Sequence, residues 1–378
     1  MIVVIADDIT GAAELGGIAL RFGLKVIVSD DVQVHTQPDV LIIYTNTRSM
    51  QKKEAVKIME SVTAKVKLLH PSLFYKKTDS VLRGHVLAEM KAQMKTLNFN
   101  KALLVPVNPS LGRVIKNGHY YVNGQAIHET GFSSDPEYPI TNSSVEKILG
   151  KENIPVKLIS KNDSLIENGI SVGEAATNED IADWANYSDG SILLAGGASF
   201  FNMLLEANYP VKKQGGAEVR LSLPLVMISG TTYQKNVDRI KNLPHLVSYM
   251  PPTIFSNTTV NESDYEEWDR DIMRILSKYN KVIVAIDNHQ TRKADPNLLR
   301  EKQAAITRLI LEKQKIKELL IEGGSTAYSI VKKLNWPSFV PTEELQQGIV
   351  RMQVEGKNDL HLTIKPGSYE WPSQWNFN

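Results

Sequence analysis

Short apolar runs of strand length recur through this chain, each followed by a stretch of helical periodicity. That alternation restricts the fold more than any other feature. Ile2–Ile5 leads into Gly11–Phe22, and Lys25–Val28 and Val40–Tyr44 precede Gln51–His70. In that last stretch Val56, Met59, Val62 and Val66 recur at three- and four-residue spacing. Leu73–Lys76, Gly84–Leu97 and Ala102–Val105 continue the series. A βαβα order implies a parallel sheet covered by helices, with ligands beyond the carboxyl ends of the strands. Tyr120–Ile127 interrupts it, since Asn123-Gly124 suits a two-residue type I′ hairpin turn. Val156–Ile159, Asn178–Trp184 and Ile192–Ala195 resume it.

The polar stretch Asn208–Arg220, with Lys212-Lys213-Gln214-Gly215-Gly216 inside it, reads as a linker. A second series follows: Leu225–Ile228, Gln234–Asn242, Tyr265–Tyr279, Val282–Ile286, Pro296–Lys317, Leu319–Ile321 and Ser325–Leu334. It closes on an antiparallel pair, Ile349–Val354 and Leu360–Ile364. The expected fold class is therefore α/β: two α/β domains, 1–210 and 221–378, with mainly parallel sheets and an interdomain cleft. The 378 residues suit two domains of roughly 100–200 residues each.

Lysine and arginine total 43 against 42 aspartates and glutamates. So balanced a chain lacks the basic excess expected of a nucleic-acid or anionic-membrane partner. The absence of cysteine excludes disulfides, thiolate metal sites and a catalytic thiol. The apolar runs fall far short of the roughly 20 residues of a membrane span. Asp7 and Asp8 follow the apolar start at once, unlike a signal peptide, so a cytoplasmic protein is expected. The eight histidines show no metal-ligand spacing, and metal ligands are left unassigned.

The chemistry-bearing residues gather at strand ends. After the first strand come Asp7, Asp8, Thr10 and Gly11. Such carboxylates can bind Mg²⁺, take a proton from a hydroxyl or accept from a polyol, and an acid at this position also caps a helix. Lys76-Lys77-Thr78-Asp79-Ser80-Val81-Leu82-Arg83-Gly84 offers cations, a carboxylate and hydroxyls at another strand end. Arg83 is the expected clamp for a carboxylate or phosphate. Asn108-Pro109-Ser110-Leu111-Gly112-Arg113 builds a rigid loop with Arg113 as a second anion binder. In the second half, Ser229-Gly230-Thr231, Gly323-Gly324-Ser325-Thr326 and Lys365-Pro366-Gly367 are small-residue loops suited to phosphate. No P-loop or G-x-G-x-x-G motif occurs.

This set resembles the four-carbon acid sugar kinases, through Ile5–Ala12, Lys77–Gly84, Pro106–Arg113, Ser229–Thr231, Gly323–Ala327 and Lys365–Gly367. The resemblance implies an ATP-dependent kinase acting on a hydroxyl of threonate, erythronate or 3-oxo-tetronate, with Mg²⁺. It implies a sugar-acid site in the first domain: Asp8, Asp7 and Arg83 as catalytic residues, with Thr10, Gly11, Lys77, Asp79, Ser80, Gly84, Asn108, Gly112 and Arg113 binding substrate. It implies an ATP site in the second: Ser229, Gly230, Thr231, Gly323, Gly324, Ser325, Thr326, Lys365 and Gly367. Asp8 is expected nearest the reacting hydroxyl, with Asp7 on substrate hydroxyls or the loop. The family has Asp where this chain has Ser325, and glycine-rich residues around Pro366 and Ser368–Trp371. Whether the chain forms a homodimer is left open. A sugar-acid binding protein without catalysis is the main alternative. A receiver-type signalling domain would need an aspartate where Tyr44–Thr47 stands, and an Asp-x-Asp phosphatase needs a second aspartate that is missing here.

Overall fold

Ile2–Ala6 (β1) is apolar at every position because both faces of the strand are covered. The computed structural model describes residues 1–135, 137–188, 190–212, 219–230, 234–287, 295–357, 359–367 and 369–372. Two compact units divide the chain, Met1–Gln214 and Gly215–Asn378, and the break falls inside the stretch read as a linker. No helix among the described residues is long and apolar enough to cross a membrane.

In the first unit β1 is followed by α1 (Ile9–Arg21), β2 (Val26–Ser29), β3 (Val40–Tyr44), α2 (Lys52–Lys67), β4 (Leu73–Lys77), α3 (Val86–Leu97) and β5 (Lys101–Val105). A small antiparallel sheet intervenes: β6 (Arg113–Lys116), β7 (His119–Val122) and β8 (Gln125–Ala126). Asn123-Gly124 makes the expected turn, and Asn117-Gly118 makes a second one with the same positive φ at both residues. Then come α4 (Val145–Leu149), β9 (Val156–Ile159), β10 (Gly169–Gly173), α5 (Asn178–Ala185), β11 (Ile192–Gly196) and α6 (Ala198–Glu206). The large sheet runs β2-β3-β1-β4-β11-β5-β10-β9, parallel throughout. Val3, Ile5, Ile27, Leu41 and Ile43 pack on Met59 and Val66 of α2.

This order decides where a ligand can sit. From β1 the chain leaves toward β2 and β3, and from β4 it leaves the other way, toward β5. The loops after β1 and β4 diverge, and the crevice between them is the switch point at which open α/β sheets bind ligands. Alternation along β4 sorts its two lysines. Lys76 is turned onto α3, where a buried 2.6 Å pair with Glu89 holds it away from the crevice. Lys77 faces α1.

The second unit holds β12 (Leu225–Ser229), α7 (Gln234–Lys241), β13 (Val247–Tyr249), α8 (Pro252–Ser256), α9 (Glu266–Tyr279), β14 (Lys281–Ala285), α10 (Pro296–Lys313), β15 (Glu318–Glu322), α11 (Gly324–Lys333), β16 (Ser338–Gln346), β17 (Ile349–Val354) and β18 (His361–Lys365). Its strands run β13-β14-β12-β15-β18-β17-β16. β17 is antiparallel to both neighbours, which bears out the expected final pair. Helix α10 stops four residues short of the expected Lys317, because Gln314 turns extended (φ −133°, ψ 137°) so that Ile316 can be buried ahead of β15. Here too the loops after β12 and β15 diverge.

Candidate functional site

Every polar group expected at the first switch point is near a carboxyl strand end, but the pairing differs from the expectation. Asp8 is the N-cap of α1: its Oδ1 accepts the Gly11 N–H at 2.9 Å, and the Thr10 hydroxyl donates to its Oδ2. Gly11 is required by close approach, since a Cβ there would lie 2.7 Å from Asp8 Oδ1 and 3.1 Å from Lys77 Nζ. Lys77 Nζ donates to the Thr78 carbonyl at 3.0 Å and stands 3.7 Å from Glu14.

The residue missed in the sequence is Arg48, in the 3₁₀ turn Thr47–Ser49 after β3. Its Nε and Nη2 clamp Asp7 at 2.8 and 2.9 Å. Nη1 donates to Asp8 at 3.2 Å and lies 3.7 Å from Asp79. Asp7 is therefore bound to a protein cation on the neighbouring loop. The only sequence signal for Arg48 was its place just beyond a third strand end. Gly84 packs against the Arg48 side chain.

Arg83 is also engaged. Its Nε and Nη2 hold Asp79 at 2.8 and 2.9 Å, and its Nη1 holds Asp135 at 2.8 Å. Arg113 differs. Its Nη1 donates to Ser80 Oγ at 2.6 Å, its Nε is buried without a hydrogen-bond partner, and no carboxylate pairs with it among the described residues. Phe132 lies under both arginines, 5.7 Å from the Arg83 guanidinium and 5.5 Å from that of Arg113. Arg83 is thus paired with two carboxylates, and Arg113 with none among the described residues. Asn108 and Gly112 shape its loop. Asn108 is bonded to Arg113 through both backbone groups, and Gly112 has φ 64° where a Cβ would strike Asn123.

Gly196 and Gly197, also missed, bring β11 and α6 against the loop after β5; a Cβ on Gly196 would lie 2.1 Å from the Val105 carbonyl oxygen. Gly196-Gly197-Ala198-Ser199 carries the same strand–Gly-Gly signal that marked Gly323-Gly324.

The charges are fixed by these contacts. Burial alone would raise the Asp8 carboxyl, but Arg48 and then Lys77, with the Thr10 and Gly11 hydrogen bonds, outweigh it and hold it below the usual range. Burial likewise opposes ionisation of Asp79, and Arg83 followed by Arg48 pulls it well below. Carboxylates whose pKa is depressed on folding stabilise the native state above their unfolded pKa, near 3.9, and lose that contribution as pH falls toward the folded value. Stability should therefore drop steeply below about pH 4, and Asp79→Asn should be less stable at neutral pH but flatter in acid. Urea melts of both proteins from pH 6 to pH 2 test this; parallel curves would refute it.

Residues 2–204 match the model of the sugar-binding N-terminal domain, more than half of the chain. The chain belongs to that family. Among curated relatives, D-threonate kinase of Salmonella typhimurium is 29% identical over 64% of this chain and 60% of its own length. D-erythronate kinase of Heliobacterium modesticaldum is 24% identical over 76% and 69%, and 3-oxo-tetronate kinase of Brucella melitensis is 31% identical over 40% and 36%. The chain thus matches less than two thirds of the length of the Salmonella enzyme. The fold is shared with a solved Haemophilus influenzae protein of the DUF1537 family (TM-score 0.71, 17% identity, covering 99% of this chain and 98% of that one). It is also shared with a Salmonella typhimurium protein (TM-score 0.79, 18% identity, covering 100% and 97%).

The sugar-binding family model ends before the second unit, whose loops are described by their own geometry. Gly230 follows β12, and a Cβ there would lie 2.0 Å from Thr326 Oγ1. Gly323 (φ 100°) caps α11, whose first turn is Gly324, Ser325 and Thr326; their N–H groups have no partner among the described residues. Two side chains expected at phosphate are committed elsewhere. Ser229 Oγ donates to Glu322 at 2.7 Å. Lys365, fully buried, lies 3.5 Å from Glu322 and donates to the Pro366 and Tyr369 carbonyls at 3.1 and 2.6 Å. The Gly367 carbonyl accepts from Asn236 at 3.0 Å. Thr231 lies outside the described residues. Among the described residues no three His, Asp or Glu side chains form a metal-holding group.

Proposed function

We propose that this chain is an ATP-dependent kinase that phosphorylates a hydroxyl of a four-carbon sugar acid, with the acid held by the first unit and the nucleotide by the second. The observation that carries the reading is Arg113: a partly buried guanidinium without a carboxylate partner, at the switch-point crevice of a sugar-binding fold. A sugar acid supplies the missing carboxylate. The kinase names of the curated relatives support the reaction type.

In this reading Arg113 and Ser80 receive the carboxylate, and Lys77, Asp8 and Asp79 face the hydroxyls. Asp8 orients the reacting hydroxyl as an acceptor. Its depressed pKa makes it a weak base, and phosphoryl transfer through a loose transition state asks mainly for positioning and charge neutralisation. Arg48 holds Asp7 and Asp8 in place. The N–H groups of Gly324, Ser325 and Thr326 cradle phosphate at the start of α11. Mg²⁺ would travel with the ATP phosphates and would offset phosphate charge there. The commitment of Ser229 and Lys365 to Glu322 favours a second reading, a sugar-acid binder without turnover.

ATP consumption with a panel of D- and L-threonate, erythronate and 3-oxo-tetronate separates the two. Acid-dependent ADP release is expected; acid binding without it would leave the binder. Gly230→Ala should weaken ATP binding at least tenfold through its clash with Thr326, about 1.4 kcal/mol, and leave acid binding intact. Unchanged ATP affinity by calorimetry would remove the nucleotide from this loop.

A further inference from the structure

Asp135 stands on an irregular segment that leaves the small sheet and returns over the crevice. Its Oδ1 accepts the N–H groups of Glu137 and Tyr138 at 3.0 and 2.8 Å, which fixes the turn, and its Oδ2 faces Arg83 Nη1 at 2.8 Å. The same segment places Phe132 beneath Arg83 and Arg113. Its Tyr138 hydroxyl donates to the Arg48 carbonyl. The segment is thus latched onto the arginine cluster through Asp135.

While that latch holds, a ligand anion enters a neighbourhood where carboxylates already outnumber the cations. Arg48, Lys77, Arg83 and Arg113 are surrounded by Asp7, Asp8, Glu14, Asp79 and Asp135. A ligand carboxylate beside Arg113 would add to an existing excess of negative charge. Asp7, Asp8 and Asp79 lie within two residues of a main-sheet strand end and Glu14 lies on α1, whereas Asp135 lies well beyond β8 of the small sheet, so it can withdraw at the smallest cost to the fold. A cavity of about 270 Å³, bordered by Leu82, Arg83, Tyr138 and Ile140, lies beside the segment and gives it space to reseat.

We infer that Asp135 is a resident carboxylate that withdraws from Arg83 when the carboxylate of a bound acid arrives at Arg113 beside it, so that it sets the preference of the site for acids over neutral polyols. A neutral polyol offers nothing to exchange for Asp135 and leaves the latch shut. The inference rests on the sugar-acid reading above.

Asp135→Asn tests it in the full chain, since the amide oxygen can still accept from Glu137 and Tyr138 and keep the turn. D-threonate and D-erythronate are titrated by calorimetry without ATP, and hydrogen exchange is followed in the peptide spanning residues 130–144. The variant should bind the acids roughly five- to twentyfold more tightly, because no binding energy goes into displacing the aspartate. In the wild type, exchange in that peptide should rise on saturation with acid; in the variant it should start high and no longer respond. Equal or weaker binding by the variant, or slower wild-type exchange with acid, would overturn the proposal and make Asp135 a brace for Arg83. A wild-type titration with no binding of either acid would instead bring down the sugar-acid reading, and this proposal with it.

Discussion

Arg113→Met is expected to raise KM for the sugar acid by roughly thirtyfold or more, matching the 2–5 kcal/mol that truncating one partner of a buried charge pair costs. The fold should survive, because Arg113 neutralises no protein carboxylate among the described residues and its one described side-chain hydrogen bond goes to a neutral hydroxyl. Steady-state kinetics with circular dichroism as the folding control measure this. Arg83→Met is the informative contrast. It strips Asp79 and Asp135 of their shared partner, so it should lose stability as well as affinity. If Arg113→Met had normal KM while Arg83→Met alone lost affinity, the carboxylate would be bound at Arg83 only.

Arg48→Met should be the most damaging single change to the first unit. Asp7 is only 4% exposed, and Arg48 answers it with two hydrogen bonds while also reaching Asp8 and Asp79. Removing one partner of such a pair leaves an uncompensated buried charge, at about 3–5 kcal/mol. At roughly 2–4 °C per kcal/mol for a domain of this size, Tm should fall by about 10 °C. Arg48→Lys should recover part of the loss, since the charge returns without the two-pronged geometry. Calorimetric melting of both variants decides it. A near-normal Tm for Arg48→Met would mean that the buried Asp7 does not depend on Arg48.

The elements that could be read from the chain are those whose signal is local. β1 and β3 are apolar throughout, β5 and β12 are apolar but for Lys101 and Ser229 at one end, and α2 carries its period in Val56, Met59 and Val66. β16 escaped notice because Pro341, Thr342, Glu343 and Glu344 interrupt any alternation, although Phe339 is fully buried. β6 was lost beside the Asn123-Gly124 turn even though Asn117-Gly118 carries the same signal. At the site, strand-end position identified Asp7, Asp8, Lys77, Asp79 and Arg113 as a group. It could not say which cation meets which acid, because that depends on strand order. With β3 beside β1, Arg48 reaches Asp7 across 41 residues of sequence. The same limit hid Asp135, which meets Arg83 only because its segment folds back over the crevice.

Two end strands, β9 in the first unit and β13 in the second, bear on how the protein behaves at high concentration. An unpaired strand edge is a template onto which another chain can add. β13 is three residues long, too short to offer much of one. β9 begins directly after Pro155, which has no N–H to give, and carries the exposed Lys157 at its centre. A ribbon arriving at that edge would have to bury an ammonium and forgo a hydrogen bond at its first rung. Sheet extension at the β9 edge is thereby discouraged by proline and lysine, in a chain whose near-zero net charge gives little electrostatic protection against association.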